Sequence, residues 1–359
     1  LIEFIRSDVH PKYPLIDCLP YGVAYHYGDM PPLVRARVED LFKSGELRYV
    51  CCTSTLLQGV NLPARHIIIE DPRRGRSGPM PRRDFLNLAG RAGRLLREFH
   101  GNIWCIRPEK WADPVYQGPE LTTITSAIEE AMRDGGIVVQ KVAGDEVLKE
   151  KTRECGEAVL GKLYLEGLQQ AEEFSLDRWR TAENTQALSA TEQVLRGIKV
   201  TLPISILESN AGIRPDRLQT LYDYLIELSP AKLAEWMPLG PWATGYYDRM
   251  KLTIKLIEIA LRDRDNNSHS YYAWLASRWI HGVPLGEIIS ASVDAELEAD
   301  KLSTEIRRVL KTLESEIRFR LVKHYIAFCS ILKFALEQRG ENKLASEIEP
   351  FHIYLECGA

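Results

Sequence analysis

Residues 21 to 110 switch repeatedly between two hydrophobic spacings. Apolar residues at 34, 38, 41 and 42 repeat with helical spacing and predict a helix over Val34–Phe42, ended by Ser44-Gly45. Leu47–Cys52 and His66–Ile69 are short apolar runs that predict strands, with a glycine-containing turn at 59 between them. Leu86–Leu96 predicts a second helix and Gly101–Ile106 a further strand. The resulting β-α-β-α-β order points to a parallel sheet with helices on both faces. In such sheets ligands sit beyond the carboxyl ends of the strands.

From about Leu121 the spacing becomes helical almost throughout. Helices are expected over Thr122–Arg133, Val147–Phe174, Arg217–Leu228, Tyr247–Leu261, Tyr271–Ile280 and Lys301–Gln338. Ser229-Pro230, Pro238–Gly245 and Asp263–Ser270 read as linkers. The fold class expected is therefore α/β followed by mainly α. The domains expected are residues 1–120, a connector at 121–200 that is either helical or winged-helix-like, and a helical bundle at 201–359.

Composition narrows this reading in three ways. With 359 residues, 45% hydrophobic and 27% charged, the chain has room for at least two ordinary cores. No apolar run approaches the ~18–20 residues of a membrane span, and no signal peptide opens the chain, so a cytoplasmic, membrane-free protein is expected. The start at Leu1 is read as an excised piece of something longer.

Seven cysteines without C-x-x-C spacing predict reduced, buried thiols, and Cys51-Cys52 is expected in the core. No metal site is predicted from the scattered histidines. The net charge of −4 hides an asymmetry. Residues 1–119 hold 17 Lys+Arg against 13 Asp+Glu, and Glu70–Arg97 alone holds eight arginines and three acids. Such a patch attracts phosphates.

Two segments carry candidate chemistry. In TSTLLQGVNLPA, Thr53–Ala64, the hydroxyls of Thr53, Ser54 and Thr55 follow a strand and are followed by Gly59 and Asn61. Hydroxyls and amides at a strand end can hold a backbone phosphate without reading a base; a polar turn is the plainer alternative. In NLAGRAGR, Asn87–Arg94, Asp84 is a candidate N-cap, and Asn87, Arg91 and Arg94 fall on one helix face. Glycines inside a helix cost about 1 kcal/mol each, which calls for a close approach by a ligand or domain. The arginines could stabilise charge on a transferred phosphoryl group; a packed helix with solvated arginines is the alternative. No phosphate loop of the form G-x-x-x-x-G-K-[ST] occurs: Gly161-Lys162 is followed by Leu163.

Taken together, these segments resemble motifs V and VI of the second RecA-like domain of superfamily 2 DEAD/DEAH-box helicases, in the superkiller-type (Ski-two-like) branch. HYGDMPPLVRARVEDLF, His26–Phe42, resembles motif IVa. The resemblance covers roughly residues 20–107 and implies an incomplete RecA-like domain lacking its amino-terminal strand. It implies strand contacts by His26, Thr53, Ser54 and Thr55. It places Gly59, Asn61, Asn87 and Gly90 on the nucleotide side, with Arg91 and Arg94 reaching the phosphates of ATP with Mg²⁺. Asn87 stands where the family usually has Gln, so its side chain is one methylene shorter.

The ATP site would be completed by a first RecA-like domain carrying the phosphate loop. Between the motifs, Arg73, Arg74, Arg76, Arg82 and Arg83 form either a duplex-splitting hairpin or a basic loop that gathers phosphates. Arg307, Arg308, Lys311, Arg318, Arg320 and Lys323 lie in the last long helix, where a mostly solvated charged face is expected because glutamates are interspersed.

The function expected is therefore the carboxyl-terminal part of an ATP-dependent helicase or translocase, with DNA slightly favoured over RNA. This chain alone is expected to be inactive. The alternative is a non-catalytic nucleic-acid-binding or regulatory protein with a motor-derived fold.

Overall fold

The computed structural model describes all residues except 54–63, 74–77, 94–99, 119–125, 171–173, 264–267, 295–296 and 359, together with the side chains of 299–300. The chain divides into two compact units. One comprises Leu1–Thr123 and Val283–Ser315, the other Ile124–Gly282 and Glu316–Ala359.

The first unit begins with α1 (Ile2–Asp8) and α2 (Leu15–Cys18), which lead into β1 (Val23–His26). Helix α3 (Pro32–Ser44) starts at a proline, where the missing N–H costs nothing, and stops at Gly45 with φ +86°. It returns the chain to β2 (Tyr49–Cys52), which pairs in parallel with β1. A second parallel ladder joins β3 (His66–Ile69) to β4 (Asn102–Cys105), with α4 (Arg82–Ala89) between them in sequence. Ile69, Met80, Phe85 and Val115 form a small core beneath this ladder.

The single sheet expected is thus seen as two separate two-stranded ladders among the described residues, β2 and β3 being joined through 54–63. Strand β1 takes the leading place in the expected order, to which no residue range was assigned: its four residues, Val-Ala-Tyr-His, are too few to show a period.

The second unit is helical. It contains α5 (Ala127–Met132), α6 (Ile137–Ala143), α7 (Glu150–Gln170), α8 (Thr185–Gly197), α9 (Ile204–Ser209), α10 (Pro215–Ile226), α11 (Pro230–Ala234), α12 (Tyr246–Ala260) and α13 (Ser268–Ile280). Ser126 and Glu129 form a capping box on α5. Gly282, with φ +64°, and Pro284 then break the chain.

Helix α14 (Leu285–Ser292) belongs to the first unit, where its Gly286 lies so close to α1 that a Cβ would meet the Ser7 carbonyl at 2.8 Å. Helix α15 (Ala299–Lys311) follows, then a π-helical stretch over Thr312–Leu321 and α16 (Val322–Gln338) in the second unit. Short α17 (Asn342–Ser346) and α18 (His352–Cys357) close the chain. Helix α16 buries Phe328, Ile331, Leu332, Ala335 and Leu336, the helical spacing expected of a core element.

Two expectations about side chains are corrected. All seven cysteines are free, but Cys51, Cys52, Cys155 and Cys357 are exposed and the others half-buried. For Cys51-Cys52 the reason is that β2 is exposed at three of its four positions, little of the described first unit packing on its faces. The cations around α16 are not a solvated face either. Arg320 pairs with Glu154 at 2.6 Å, Glu150 at 2.9 Å and also Glu316, while Arg262 joins Glu258 at 2.7 Å and Glu316 at 3.2 Å. Lys323 donates to the Gly212 carbonyl, and the Arg318 guanidinium lies 4.7 Å from the centre of the Trp279 ring. Arg307, Arg308 and Lys311 do remain exposed.

Candidate functional site

Among the described candidates, His26 and Thr53 lie at the carboxyl ends of β1 and β2, and Asn87, Gly90 and Arg91 lie around the end of α4. Thr53 follows β2, exposed, and its amide donates to the His26 carbonyl at 3.3 Å. His26 ends β1 with its side chain 1% exposed, 3.3 Å from a Glu39 carboxylate oxygen. The imidazole is therefore turned into the fold. Ser54, Thr55, Gly59 and Asn61 lie outside the described residues.

Beyond that stretch the chain returns at Ala64, whose amide donates to the Arg91 carbonyl at 3.1 Å. The Gly93 amide donates back to the Ala64 carbonyl at 2.8 Å, making a parallel bridge between Ala64 and Ala92. The end of the first motif is thus held beside the second by main-chain bonds.

The second motif does not run as one helix. Helix α4 ends at Ala89, Gly90 caps it, and Gly93 takes φ +93°, a conformation that ends helices and favours glycine. Asn87 is an exposed residue of α4, Gly90 is exposed, and Arg91 lies in the following turn with one terminal nitrogen buried. Arg91 therefore does not share a helix face with Asn87 as expected; Arg94 lies outside the described residues. Asp84 is not the N-cap either: Pro81 is, and Asp84 sits in the first turn.

The arginine-rich interval divides by role. Arg82 donates to the carbonyls of Val115 and Gln117 at 2.7 Å and of Gly118 at 2.6 Å, so its guanidinium ties down a loop. Arg83 is exposed, 3.6 Å from Asp84, and Arg73 pairs with Asp71 at 2.5 Å while staying exposed. An antiparallel bridge joins Arg73 to Pro79, and the Met80 amide donates to the Pro72 carbonyl at 2.8 Å. These bonds close a turn on which Gly78 has φ +135°; Arg74 and Arg76 lie outside the described residues.

A parallel α/β unit that joins two such motifs defines the class: residues 8–96 match the helicase conserved C-terminal domain. The chain is similar to the carboxyl-terminal portion of superkiller-type superfamily 2 helicases, as its motifs indicated. It is 35% identical over 143 residues to the ATP-dependent DNA helicase Hel308 of Methanocella arvoryzae, covering 37% of this chain and 19% of that protein. It is 42% identical over 99 residues to the human U5 small nuclear ribonucleoprotein 200 kDa helicase, covering 26% of this chain and 5% of the relative. With anti-bacteriophage protein B of Escherichia coli it shares 30% identity over 105 residues, covering 29% and 14%. The matches thus span less than a fifth of each of these relatives.

Proposed function

We propose that this chain is the carboxyl-terminal part of an ATP-dependent nucleic-acid helicase or translocase. Its first unit, an incomplete RecA-like domain centred on residues 1–120, grips the strand backbone through Thr53, Ser54 and Thr55. Exposed arginines at 73 and 83, with Arg74 and Arg76, add sequence-independent phosphate contacts. Arg91 and Arg94 reach an ATP site completed by a first RecA-like domain that brings the phosphate loop. The single observation that supports this best is the Ala64–Arg91–Gly93 pairing, because it couples the end of the strand-gripping segment to the nucleotide-side turn.

The residues present fit a nucleotide phosphate. Asn87 and Gly90 are exposed polar or bare positions beside Arg91, and no carboxylate occurs from Phe85 to Arg94 to repel an anion. Mg²⁺ would arrive with the nucleotide and the completing domain. DNA is slightly favoured over RNA as the track in this proposal, the relatives including both a DNA helicase and a ribonucleoprotein helicase.

The rest of the chain serves as an accessory region. Its described part from 126 to 200 holds helices and no strand, which favours a helical connector over a winged-helix-like one. No described helix is long and apolar enough to cross a membrane, and placement in the cytoplasm belongs to this proposal.

The test is ATP hydrolysis by the 359-residue chain with and without single-stranded DNA. No turnover above the blank is expected. Turnover abolished by Arg94→Ala would show a complete site within the chain and overturn the half-site reading.

A further inference from the structure

Between the carboxyl-terminal parts of α7 and α8 the second unit leaves a cavity of about 170 Å³. Its walls are apolar: Leu163, Leu195 and Phe174 are buried, and Leu168 stands half in solvent at the rim. Gly167 supplies no side chain, which keeps the space between α7 and the Phe174 ring open. An engineered apolar cavity of about 150 Å³ is large enough to hold benzene, so this one admits a ring or a chain of about six carbons.

Two polar groups line it, and both can donate. Tyr164 is 7% exposed, and its hydroxyl has no hydrogen-bond partner among the described residues. That hydroxyl can therefore donate to an acceptor that enters the cavity. Arg196 lines the same cavity and gives one hydrogen bond, to the Phe174 carbonyl at 3.3 Å, with no carboxylate partner among the described residues. Elsewhere in this unit Arg178, Arg214, Arg217, Arg262 and Arg320 each meet a carboxylate.

An apolar hollow with a phenol and a guanidinium, both donors, selects a ligand with an apolar body and an anionic acceptor. We infer that this cavity is a binding site for a small apolar monocarboxylate, its tail between Leu163, Leu195 and Phe174 and its carboxylate on Tyr164 and Arg196. The site lies within the helical unit, so it stands or falls independently of the helicase reading.

The test is calorimetric titration of the 359-residue chain with hexanoate, alongside hexan-1-ol and hexylammonium as probes of the same tail. Hexanoate should bind and hexylammonium should not, with hexan-1-ol weaker than the acid. Arg196→Gln, at an exposed position that leaves the core intact, should weaken hexanoate about tenfold. Tyr164→Phe should weaken it by a smaller factor. Gly167→Leu, where the added Cβ meets the Phe174 ring at an ordinary 3.6 Å, should fill the cavity and abolish binding while the far-ultraviolet circular dichroism stays unchanged. Failure of hexanoate to bind the wild-type chain at millimolar concentration would overturn the inference. So would equal affinity for wild type, Arg196→Gln and a folded Gly167→Leu.

Discussion

Ala64 and Gly93 exchange main-chain bonds around Arg91: the Ala64 amide gives to the Arg91 carbonyl, and the Gly93 amide gives to the Ala64 carbonyl at 2.8 Å. The pairing requires the chain to turn sharply after α4, and Gly93 makes that turn at φ +93°. A Cβ there would also come within 3.1 Å of the Gly101 amide nitrogen. Gly93→Ala should therefore destabilise the first unit by about 1–3 kcal/mol. Gly45→Ala, with similar φ but open space around the added carbon, should cost less, about 1 kcal/mol. Hydrogen exchange at the amides of β3 and β4 checks both.

Arg82 holds three carbonyls of the 115–118 loop, so its loss is a stability effect. Arg82→Ala should cost about 1.5–3 kcal/mol, the range for hydrogen bonds to a charged group. Urea unfolding would show it. A nucleic-acid affinity that falls while the urea midpoint stays fixed would contradict this role.

In the second unit Arg262, 9% exposed, is held by Glu258, itself 2% exposed. Removing one member of such a buried pair strands the other. Arg262→Met should cost about 3–5 kcal/mol, while the double change with Glu258→Leu should restore much of the loss. A thermal-denaturation cycle of the four proteins reads the coupling.

His324 is deeply buried on α16, and burial, reinforced by the charges of Arg262 and Lys323, holds its pKa well below 6.5. The folded chain keeps this imidazole neutral while the unfolded chain protonates it. Below pH 6.5 the unfolded state therefore binds more protons, and stability falls as pH falls until the depressed folded pKa is reached. The slope approaches about 1.4 kcal/mol per pH unit. His324→Gln should remove that part of the slope between pH 6.5 and 5 in urea titrations and leave the profile above pH 7 unchanged.

The helices were legible wherever the apolar residues at helical spacing are the ones that become buried, as in α10, α12 and α16. The end of α4 was not, because Gly90 and Gly93 break a pattern whose apolar spacing continues to Leu96. The partners of Arg320 were hidden for another reason: Glu150 and Glu154 lie far away in sequence, on α7, and only packing brings them together. The return of α14 to the first unit depends on Gly286 meeting the Ser7 carbonyl, a contact no local pattern encodes. For the site, motif order did not reveal that His26 turns inward or that Arg82 serves the fold.

The strand-gripping claim is tested most directly by fluorescence anisotropy of a labelled single-stranded oligodeoxynucleotide with the 359-residue chain, titrated over a salt series. Binding should weaken linearly on a log–log plot. Arg83→Ala should reduce the slope by about 1, and Thr53→Ala should lower affinity equally for oligonucleotides of different sequence. Absence of binding at low salt, or binding indifferent to salt and to both substitutions, would contradict the account.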